Sequence, residues 1–322
     1  MNEFIASRTD PLTRAAIRHG SDKFGGHIYT PIYHQLFQHL REKSIRMLEI
    51  GIGGYDSPKA GGASLRMWAE YFPYAKIIGL DIEAKKIDIS PRVKIIQGSQ
   101  IDIDLLKKIT GEHGPFDIIV DDGSHVVSHM IDSFICLYPL MASSGIYAIE
   151  DVQTSFSTNS GGNQSGAGTI FDLAHRVGLA MHILEGFIPT NQDEINSFGK
   201  ITKSIALYRN QVIFHRGENT YPSNINLDFE NSEVRSVYQT IINELALNPS
   251  SRSYLSVIDM LIWAGRQAEA ARFAIEASNA YPDDEILHNE LIRMMSWAGQ
   301  AKAQELIVEK TTFIEQKNNS KT

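Results

Sequence analysis

The sequence predicts an α/β protein in which a parallel sheet carries helices on both faces and ends in an antiparallel hairpin, followed by a small all-α domain. Between residues 45 and 149, five short apolar runs alternate with segments of helical spacing. Strands that alternate with helices at this interval are typical of βαβ units. Two further runs, 201–208 and 211–216, flank Arg209-Asn210 and predict the hairpin. Beyond residue 230 the strand pattern stops and only helical patterns remain.

Two helices are predicted before the first strand. Asp10 and Pro11 are residues that favour an N-cap and a first helical position, so a short helix begins there. Thr30, which also precedes a proline, begins a second helix that extends to about Glu42. We expect residues 1–43 to form a helical segment that lies over the active site.

The parallel part of the predicted sheet contains five strands, and four of them end in a carboxylate or a glycine. Ligands of such sheets bind outside the carboxyl ends of the strands. The predicted strands cover residues 45–50, 76–81, 93–96, 116–120 and 146–149. Helices are predicted between them over residues 63–71, 101–109 and 126–141, and a later one over 169–187. Residues 44–216 are therefore assigned to one domain that includes the hairpin.

The C-terminal part of the chain is predicted to be helical and to begin after a linker over residues 217–230. Trp263-Ala264-Gly265 recurs as Trp297-Ala298-Gly299, 34 residues later, which is the period of tetratricopeptide repeats. We expect a tetratricopeptide-like module over 231–317 and a disordered tail over 318–322. An unrelated helical bundle is the alternative, because such arrays normally need at least three repeats.

Composition excludes several classes of protein. The 322 residues carry a net charge of −8, which argues against binding to nucleic acid. The single cysteine, Cys136, excludes a disulfide framework and a cysteine-based zinc site. Because Glu3 and Arg8 stand where a signal peptide needs apolar residues, and no uncharged run is long enough to span a bilayer, we expect a cytoplasmic protein.

A glycine-rich turn follows the first predicted strand. Gly51 and Gly53 let a ligand approach the backbone closely, but Asp56 replaces the third glycine of a dinucleotide-binding turn. The acidic Glu49 before the turn favours a ligand with an ammonium group, such as S-adenosylmethionine (SAM), over a pyrophosphate. Asp81, at the end of the second strand, is expected to bind the ribose hydroxyls. A plain glycine turn with a surface aspartate is the alternative interpretation.

Two acidic clusters follow neighbouring predicted strands. Asp121 and Asp122 follow the fourth strand, whereas Glu150 and Asp151 follow the fifth, so we expect them to share one crevice. Several carboxylates this close together repel one another unless a cation lies among them. Oxygen ligands without cysteine favour Mg²⁺, with Ca²⁺ or Mn²⁺ as alternatives. His125, beside this cluster, has a suitable pKa to accept a proton from a metal-bound hydroxyl.

Structural roles remain open for these residues. His125 as a helix cap, and Glu150 with Asp151 as ligands of a backbone amide, are the alternatives to catalysis and metal binding. His129 is interpreted as a structural helix residue, because no glutamate lies where a zinc motif would need it. The glycine- and serine-rich residues 155–169 follow the second acidic cluster. They are interpreted as a mobile lid over the acceptor, the molecule whose hydroxyl would bind the metal, with a passive connector as the alternative.

Together, the motifs between Gly20 and Asp151 resemble those of SAM-dependent O-methyltransferases that act on macrolide sugars, of the mycinamicin type, with cephalosporin-hydroxylase-like proteins as cousins. The resemblance covers about the first two thirds of the chain. The residues that carry it are Ser21-Asp22-Lys23, His27-Ile28-Tyr29, Tyr33, Leu48 to Tyr55, Gly61 to Trp68, Gly79 to Ile82, Gln97 to Asp102, Gly114 to Asp117, Asp121 to His125 and Ile149 to Asp151.

The resemblance implies a Rossmann-like class I methyltransferase fold and a set of site residues. Mg²⁺ would be held by Asp122, Glu150 and Asp151, with His125 as the general base. Tyr29 or Tyr33 would lie over the cofactor. The implied SAM contacts come from Glu49, Gly51, Ser64, Asp81, Ser99, Gln100 and Asp121. Ser99 departs from the pattern, in which an acidic residue is expected, and the C-terminal helical module departs from the macrolide enzymes.

We therefore expect a SAM- and Mg²⁺-dependent O-methyltransferase whose acceptor is a sugar hydroxyl of a glycoside, a bacterial glycan or a glycosylated natural product. Asp122 is also expected to position the acceptor oxygen. One alternative is a cephalosporin-hydroxylase-like enzyme or a methyltransferase for a small-molecule alcohol or catechol. Another is an inactive SAM-binding platform whose helical module binds a partner. The helical module also makes a homo-oligomer or a protein partner an expectation.

Overall fold

The structure of the protein is a computed structural model that describes residues 9–185, 194–220, 227–287 and 289. The chain divides into two compact units, Met1–Pro222 and Ser223–Thr322. Within the described residues, no helix combines the length and the apolar character that crossing a membrane requires.

The larger unit is built on a seven-stranded sheet with the order β3-β2-β1-β4-β5-β7-β6. Neighbouring strands from β3 to β5 are parallel, and β7 is antiparallel to both β5 and β6. This is the mostly parallel sheet with a closing hairpin that the sequence predicts. The strands are β1 (Arg46–Ile50), β2 (Lys76–Asp81), β3 (Val93–Gln97), β4 (Ile118–Asp121), β5 (Ile146–Glu150), β6 (Thr202–Tyr208) and β7 (Gln211–Arg216).

The order of the strands reverses at β1, which lies between β2 and β4. The register places Ile50 opposite Leu80 on one side and opposite Asp121 on the other, and Asp121 in turn pairs with Ile149. The carboxyl ends of four strands therefore form one edge. A crevice at such a reversal is where ligands bind in open α/β sheets.

Seven helices belong to this unit in the described residues. They are α1 (Pro11–His19), α2 (Thr30–Phe37), α3 (Ala63–Tyr71), α4 (Ile103–His113), α5 (Val127–Leu137), α6 (Ile170–Ala180) and α7 (Glu194–Gly199). The start of α1 follows the predicted cap, since the Asp10 side chain accepts a hydrogen bond from the Thr13 N–H at 2.8 Å. The predicted helix over 126–141 ends early, at Leu137, and Pro139 lies in the short 3₁₀ turn that follows. Proline lacks the N–H that an α-helix would need there.

Alternate residues of the strands enter two separate apolar clusters, one on each face of the sheet. Met47 packs in the cluster that contains Tyr33 and Trp68, whereas Leu48 packs in the cluster that contains Phe134 and Phe214. This is the two-residue period of a buried strand. Glu49 follows Leu48 and so faces the same side as Met47, where α3 covers it.

The smaller unit contains three helices in its described part: α8 (Ser232–Leu247), α9 (Ser251–Trp263) and α10 (Gln267–Ala280). It has a core of its own, in which Val257 and Leu261 pack with Ala270 and Ala274. A capping box between Ser250 and Ser253 begins α9. The second copy of the 34-residue repeat, at Trp297-Ala298-Gly299, and the predicted tail lie outside the described residues.

Candidate active site

The turn after β1 forms one wall of a cavity at the edge of the sheet. Gly51 has a φ of +79°, and a Cβ atom at this position would lie 2.1 Å from the carbonyl oxygen of Asp122. The turn can therefore pass this close to β4 only because residue 51 is glycine. The cavity has a volume of about 260 Å³ and is lined by Gly20, Asp22, Gly51, Ile52, Gly53, Gly54, Gly61, Ala63, Ser64 and Asp122.

Glu49, an expected cofactor ligand, lies beneath this cavity rather than in its wall. Its side chain is fully buried, and it accepts hydrogen bonds from the Ser64 hydroxyl at 2.8 Å and the Trp68 indole N–H at 3.1 Å. Burial raises the pKa of this carboxyl group, against the opposing effect of Lys23. Glu49 therefore connects β1 to α3 by hydrogen bonds. Gly51, Gly53 and Ser64 line the cavity.

Three other expected cofactor ligands lie at the neighbouring strand ends, outside the lining of this cavity. Asp81 accepts hydrogen bonds from the backbone N–H groups of Ile52 at 3.1 Å and Glu83 at 2.9 Å, so it fixes the glycine turn to β2. The Ser99 hydroxyl accepts a hydrogen bond from the Ile101 N–H at 3.4 Å. The Gln100 side-chain carbonyl accepts from the Ser124 N–H at 2.7 Å. These residues connect the turns around the crevice.

Asp121 is buried behind the crevice. Its carboxylate accepts hydrogen bonds from the Ser133 hydroxyl at 2.6 Å, the Gln100 amide at 3.2 Å and the Tyr147 hydroxyl at 3.3 Å. Burial raises the pKa of Asp121 to about 6, although these hydrogen bonds favour the ionised form. Through these contacts, Asp121 holds Gln100 and the β4–α5 loop in position.

The structure brings Asp122, His125 and Asp151 together. One ligand atom from each residue lies within 4.8 Å of the others. His125 Nε2 is 4.0 Å from Asp122 Oδ1 and 3.7 Å from Asp151 Oδ2. His125 does not cap α5, since Val126 is the N-cap residue.

This group fits a hard divalent cation. Carboxylate oxygens are ligands that Mg²⁺ prefers, and all three side chains are partly exposed, so water and acceptor oxygens have access to the same point. Imidazole nitrogen is a less favourable ligand for Mg²⁺, which leaves His125 available to take a proton. Asp122 and Asp151 are the two oxygen ligands that the geometry provides.

Glu150, the third expected metal ligand, faces a different direction. Its carboxylate accepts hydrogen bonds from Lys23 Nζ at 2.8 Å and from the Tyr33 hydroxyl at 2.6 Å, and it is not in the group formed by Asp122, His125 and Asp151. Successive side chains of a strand point to opposite sides. Asp151, which follows with a φ of +52°, turns its carboxylate toward His125 instead.

Lys23 is a buried cation that sequence reasoning did not place in the site. Its side chain is 1% exposed, and its Nζ lies 2.8 Å from Asp122 Oδ2, 2.8 Å from Glu150 Oε2 and 3.5 Å from Glu49 Oε1. Burial alone would lower the pKa of Lys23, but the three carboxylates outweigh it and hold that pKa well above its ordinary value. The resemblance motif that contains Lys23 was the one signal for it in the sequence.

Tyr29 and Tyr33, one of which was expected to lie over the cofactor, both donate to carboxylates. The Tyr29 hydroxyl donates to Asp151 Oδ1 at 2.7 Å, and the Tyr33 hydroxyl donates to Glu150. His27 stacks on Tyr29 with ring centroids 4.5 Å apart, and its Nε2 is 3.8 Å from Asp151 Oδ1. The segment before β1 therefore supplies a lysine, a histidine and two tyrosines to the carboxylates at the ends of β4 and β5.

Several curated proteins are similar to this chain. The mycinamicin VI 2''-O-methyltransferase of Micromonospora griseorubida is 37% identical over 237 residues, which is 70% of this chain and 58% of that protein. The 8-demethyl-8-(2-methoxy-α-L-rhamnosyl)-tetracenomycin-C 3'-O-methyltransferase of Streptomyces olivaceus is 46% identical over 157 residues, 48% of this chain and 40% of that protein. Over the matched region, this chain is a homologue of sugar O-methyltransferases. No family model matches the chain.

Solved structures of a methyltransferase are also similar to this chain. The MycE methyltransferase from the mycinamycin biosynthetic pathway, in complex with Mg and SAH, superposes with a TM-score of 0.62 at 36% identity, over 71% of this chain and 60% of that one. Another structure of MycE holds Mg, SAH and mycinamycin VI, and superposes with a TM-score of 0.60. The Rossmann-like methyltransferase fold is thereby shown for the larger unit. The chain spans only 38 to 58% of the length of the curated relatives it matches.

Proposed function

We propose that the protein is a SAM-dependent O-methyltransferase that uses Mg²⁺ to methylate a sugar hydroxyl. The observation that carries this proposal is the group of Asp122, His125 and Asp151 beside the cavity at Gly51. A cofactor that enters the cavity would reach Asp122, which lines the cavity and also belongs to the possible metal group. The cofactor and the metal ion would therefore both lie beside Asp122.

Asp122 and Asp151 would hold the metal, and Glu150, the predicted third ligand, would join them only if its carboxylate left Lys23 and Tyr33. When bound, Mg²⁺ would make the acceptor hydroxyl more acidic, and SAM would supply the methyl group and leave as the neutral thioether SAH. Asp122 would orient the acceptor oxygen from the side of the cavity. Tyr29 would hold Asp151 in place through its hydroxyl, which lies 2.7 Å from the carboxylate.

His125 would act as the general base. Its Nε2 lies at the open side of the two carboxylates, and its side chain is 33% exposed, so an acceptor hydroxyl can reach it. His125 would take the hydroxyl proton, and the imidazolium that forms would lie 3.7 Å from Asp151 Oδ2. The proton is then released to solvent before the next turnover.

The acceptor is proposed to be the sugar of a glycosylated natural product. The similar curated enzymes are named for methyl transfer to rhamnosyl and olivosyl sugars or to mycinamicin VI, at different hydroxyl positions. Three of these names describe a rhamnosyl or olivosyl sugar carried on a larger molecule. For this chain we propose that class of acceptor, without assigning the hydroxyl.

The C-terminal helices are proposed to form a tetratricopeptide-like module for a second copy of the chain or another protein. Support comes from α9 and α10, two consecutive helices that pack through Val257, Ile258 and small residues of α10 and are joined by a short turn at Gly265. Such helix pairs are the unit of helical repeats. The first copy of the repeated Trp-Ala-Gly motif lies at this turn.

Two measurements test the proposed chemistry. The first is methyl transfer from SAM to rhamnosyl or olivosyl glycosides, with Mg²⁺ and with EDTA. The second is the same assay on His125→Ala. We expect EDTA to abolish turnover, and His125→Ala to lower kcat by about 10²-fold or more, since general-base catalysis contributes at least that factor. Binding of SAH, measured by calorimetry, should remain within about threefold in His125→Ala because His125 does not line the cavity.

His129→Ala is the matched control. His129 lies four residues further along, in α5, where its Nδ1 is 2.9 Å from the Ser124 hydroxyl. It should retain most of the activity. Undiminished turnover in EDTA would show that the reaction needs no metal ion. Undiminished turnover of His125→Ala would show that His125 is not the general base. SAH and Mg²⁺ binding without methyl transfer to any acceptor would favour an inactive SAM-binding platform.

A further inference from the structure

Lys23 is held in place by its backbone as well as by its side chain. It lies between α1 and α2, and its carbonyl oxygen accepts hydrogen bonds from the N–H groups of Tyr29 at 3.0 Å and Thr30 at 3.3 Å. The start of α2 therefore fixes the backbone of Lys23. From there the side chain reaches residues 99 and 127 positions away in the sequence, at the ends of β4 and β5.

The Lys23 ammonium group contacts one oxygen of Asp122 and one oxygen of Glu150, and the other oxygen of each carboxylate lies near a different residue. Asp122 Oδ2 contacts Lys23, whereas Asp122 Oδ1 lies on the side of His125. Glu150 Oε2 contacts Lys23, and Glu150 Oε1 accepts from Tyr33. One oxygen of Asp122 is thus left facing the point where the ligand atoms of His125 and Asp151 converge.

We propose that Lys23 is a positioning residue of the metal site, whose ammonium group is the permanent counter-ion that holds Asp122 and Glu150 together and directs Asp122 Oδ1 toward Asp151. This inference rests on the proposed function, because it concerns the same metal site. Lys23 does not itself line the cavity and is not one of the three possible ligands, but it contacts Asp122, which is both, so it acts through the carboxylates.

The charges in the cluster explain why such a counter-ion is needed. Glu49 and Glu150 are buried, Asp122 lies beside them, and all three lie within 3.5 Å of Lys23 Nζ. Without the ammonium group, these carboxylates repel one another, and water cannot screen the two buried ones. A divalent cation would then be the remaining source of positive charge, so the folded state would come to depend on it.

The experiment compares Lys23→Met with Arg92→Met by thermal unfolding in EDTA and in saturating Mg²⁺. Arg92 is the control because it too is a cation with hydrogen-bonded partners, but it is only partly buried and its guanidinium binds the backbone carbonyls of Ala69, Phe72 and Ala75. In EDTA we expect both variants to melt below wild type, Lys23→Met by about 5 °C or more. Mg²⁺ should raise the Tm of Lys23→Met at least twice as much as that of wild type, and should raise the Tm of Arg92→Met no more than wild type.

The double variant Lys23→Met/Glu150→Gln provides a second measurement. It removes one carboxylate charge together with the ammonium charge, so its Tm in EDTA should exceed that of Lys23→Met. If Lys23→Met is insoluble, a soluble double variant supports the proposal and an equally insoluble one overturns it. A Tm for Lys23→Met equal to wild type in EDTA, or a loss that Mg²⁺ does not reverse, also overturns it.

Binding of Mn²⁺, followed by electron paramagnetic resonance, separates this inference from the proposed function. If wild type binds no Mn²⁺ and Mg²⁺ leaves its Tm unchanged, the proposed metal site itself fails, and this inference with it. If wild type binds Mn²⁺ but Lys23→Met responds to Mg²⁺ just as Arg92→Met does, the metal site stands and only the role of Lys23 is overturned.

Discussion

Gly51 and Gly53 differ in their surroundings although both have a positive φ. A Cβ atom at Gly51 would lie 2.1 Å from the backbone of Asp122, whereas a Cβ atom at Gly53 would meet no atom within 4 Å. Gly53→Ala therefore adds only the strain of a left-handed residue, about 1–2 kcal/mol of unfolding free energy. Gly51→Ala must also displace the β4–α5 loop. We expect it to lose more stability in urea unfolding and to weaken SAH binding by at least about tenfold.

Gly53→Ala is the matched control for that prediction, since it shares the positive φ and the same turn. It should lose less stability than Gly51→Ala, because its new methyl group meets no protein atom within 4 Å. Equal stability and equal SAH affinity in the two variants would show that the close approach of Gly51 to Asp122 has no consequence.

Asp121 predicts a pH dependence of stability. Its pKa is raised by burial from 3.8 to about 6 in the folded protein. Between these values the folded state binds more protons than the unfolded state, so the contribution of Asp121 to stability is fully present below about pH 4 and falls as the pH rises to about 6. The loss approaches 2–3 kcal/mol, on the order of the pKa shift converted to free energy.

Asp121→Asn isolates this effect, because the amide does not titrate. Urea unfolding in EDTA at pH 4, 5, 6 and 7 should show the stability of wild type falling relative to Asp121→Asn as the pH rises. Above about pH 6 the difference should become constant. A difference that stays flat from pH 4 to pH 7 would mean that Asp121 titrates alike in both states.

At the scale of elements, α2 connects the N-terminal segment to the strand ends. Tyr29 is its N-cap residue and Tyr33 lies one turn later, so both hydroxyls reach the end of β5 from the same side of the helix. Their acceptors differ in burial: the side chain of Glu150 is 2% exposed and that of Asp151 is 19% exposed. Water can therefore replace the hydroxyl at Asp151 more easily than at Glu150.

From this difference we predict that Tyr33→Phe is more destabilising than Tyr29→Phe. Tyr33→Phe leaves a buried carboxylate without one of its donors, which lowers the unfolding free energy by about 1–3 kcal/mol. Tyr29→Phe should lower it by less than about 1 kcal/mol. Urea unfolding of both variants, which differ from wild type by one oxygen atom each, measures the two losses. The reverse order would contradict the burial that separates Glu150 from Asp151.

The sheet could be predicted from the sequence because its signal is local. The run at Met47 and Leu48 is buried on both faces, and helix α3 was placed at its observed bounds, Ala63–Tyr71. The bounds of α5 were less accurate, since apolar spacing continues past Leu137 whereas the proline after Tyr138 ends the helix. Periodicity indicates which elements exist, and local breakers decide where they end.

The site was only partly predictable, for a physical reason that Lys23 and Glu150 illustrate. The topology of a parallel sheet places Asp122 and Asp151 at one edge, so their proximity follows from the strand pattern. Glu150 is still part of β5 and faces Lys23, whereas Asp151 turns toward His125 because its own φ is positive, and no local pattern encodes that angle. The contact between Lys23 and Glu150 joins residues 127 positions apart, beyond any local sequence signal.

At the scale of the whole molecule, the described site residues and the C-terminal helices belong to different units. Residues from Lys23 to Asp151, with the strands that position them, lie in Met1–Pro222. The C-terminal helices have a separate apolar core that includes Val257 and Leu261. A unit with its own core and its own hydrogen-bonded sheet is expected to fold without the other.

We therefore predict that a chain ending at Glu230 folds and binds SAH within about threefold of the full chain. Its thermal unfolding should remain cooperative, because all seven strands of the sheet are retained. Size-exclusion chromatography with light scattering then tests the proposed role of the C-terminal module. A fall in oligomeric size assigns it to contacts between copies, and an unchanged size with full activity assigns it to an external partner. Loss of SAH binding in a well-folded truncated chain would contradict the separation, since it would show that the C-terminal helices complete the cofactor site.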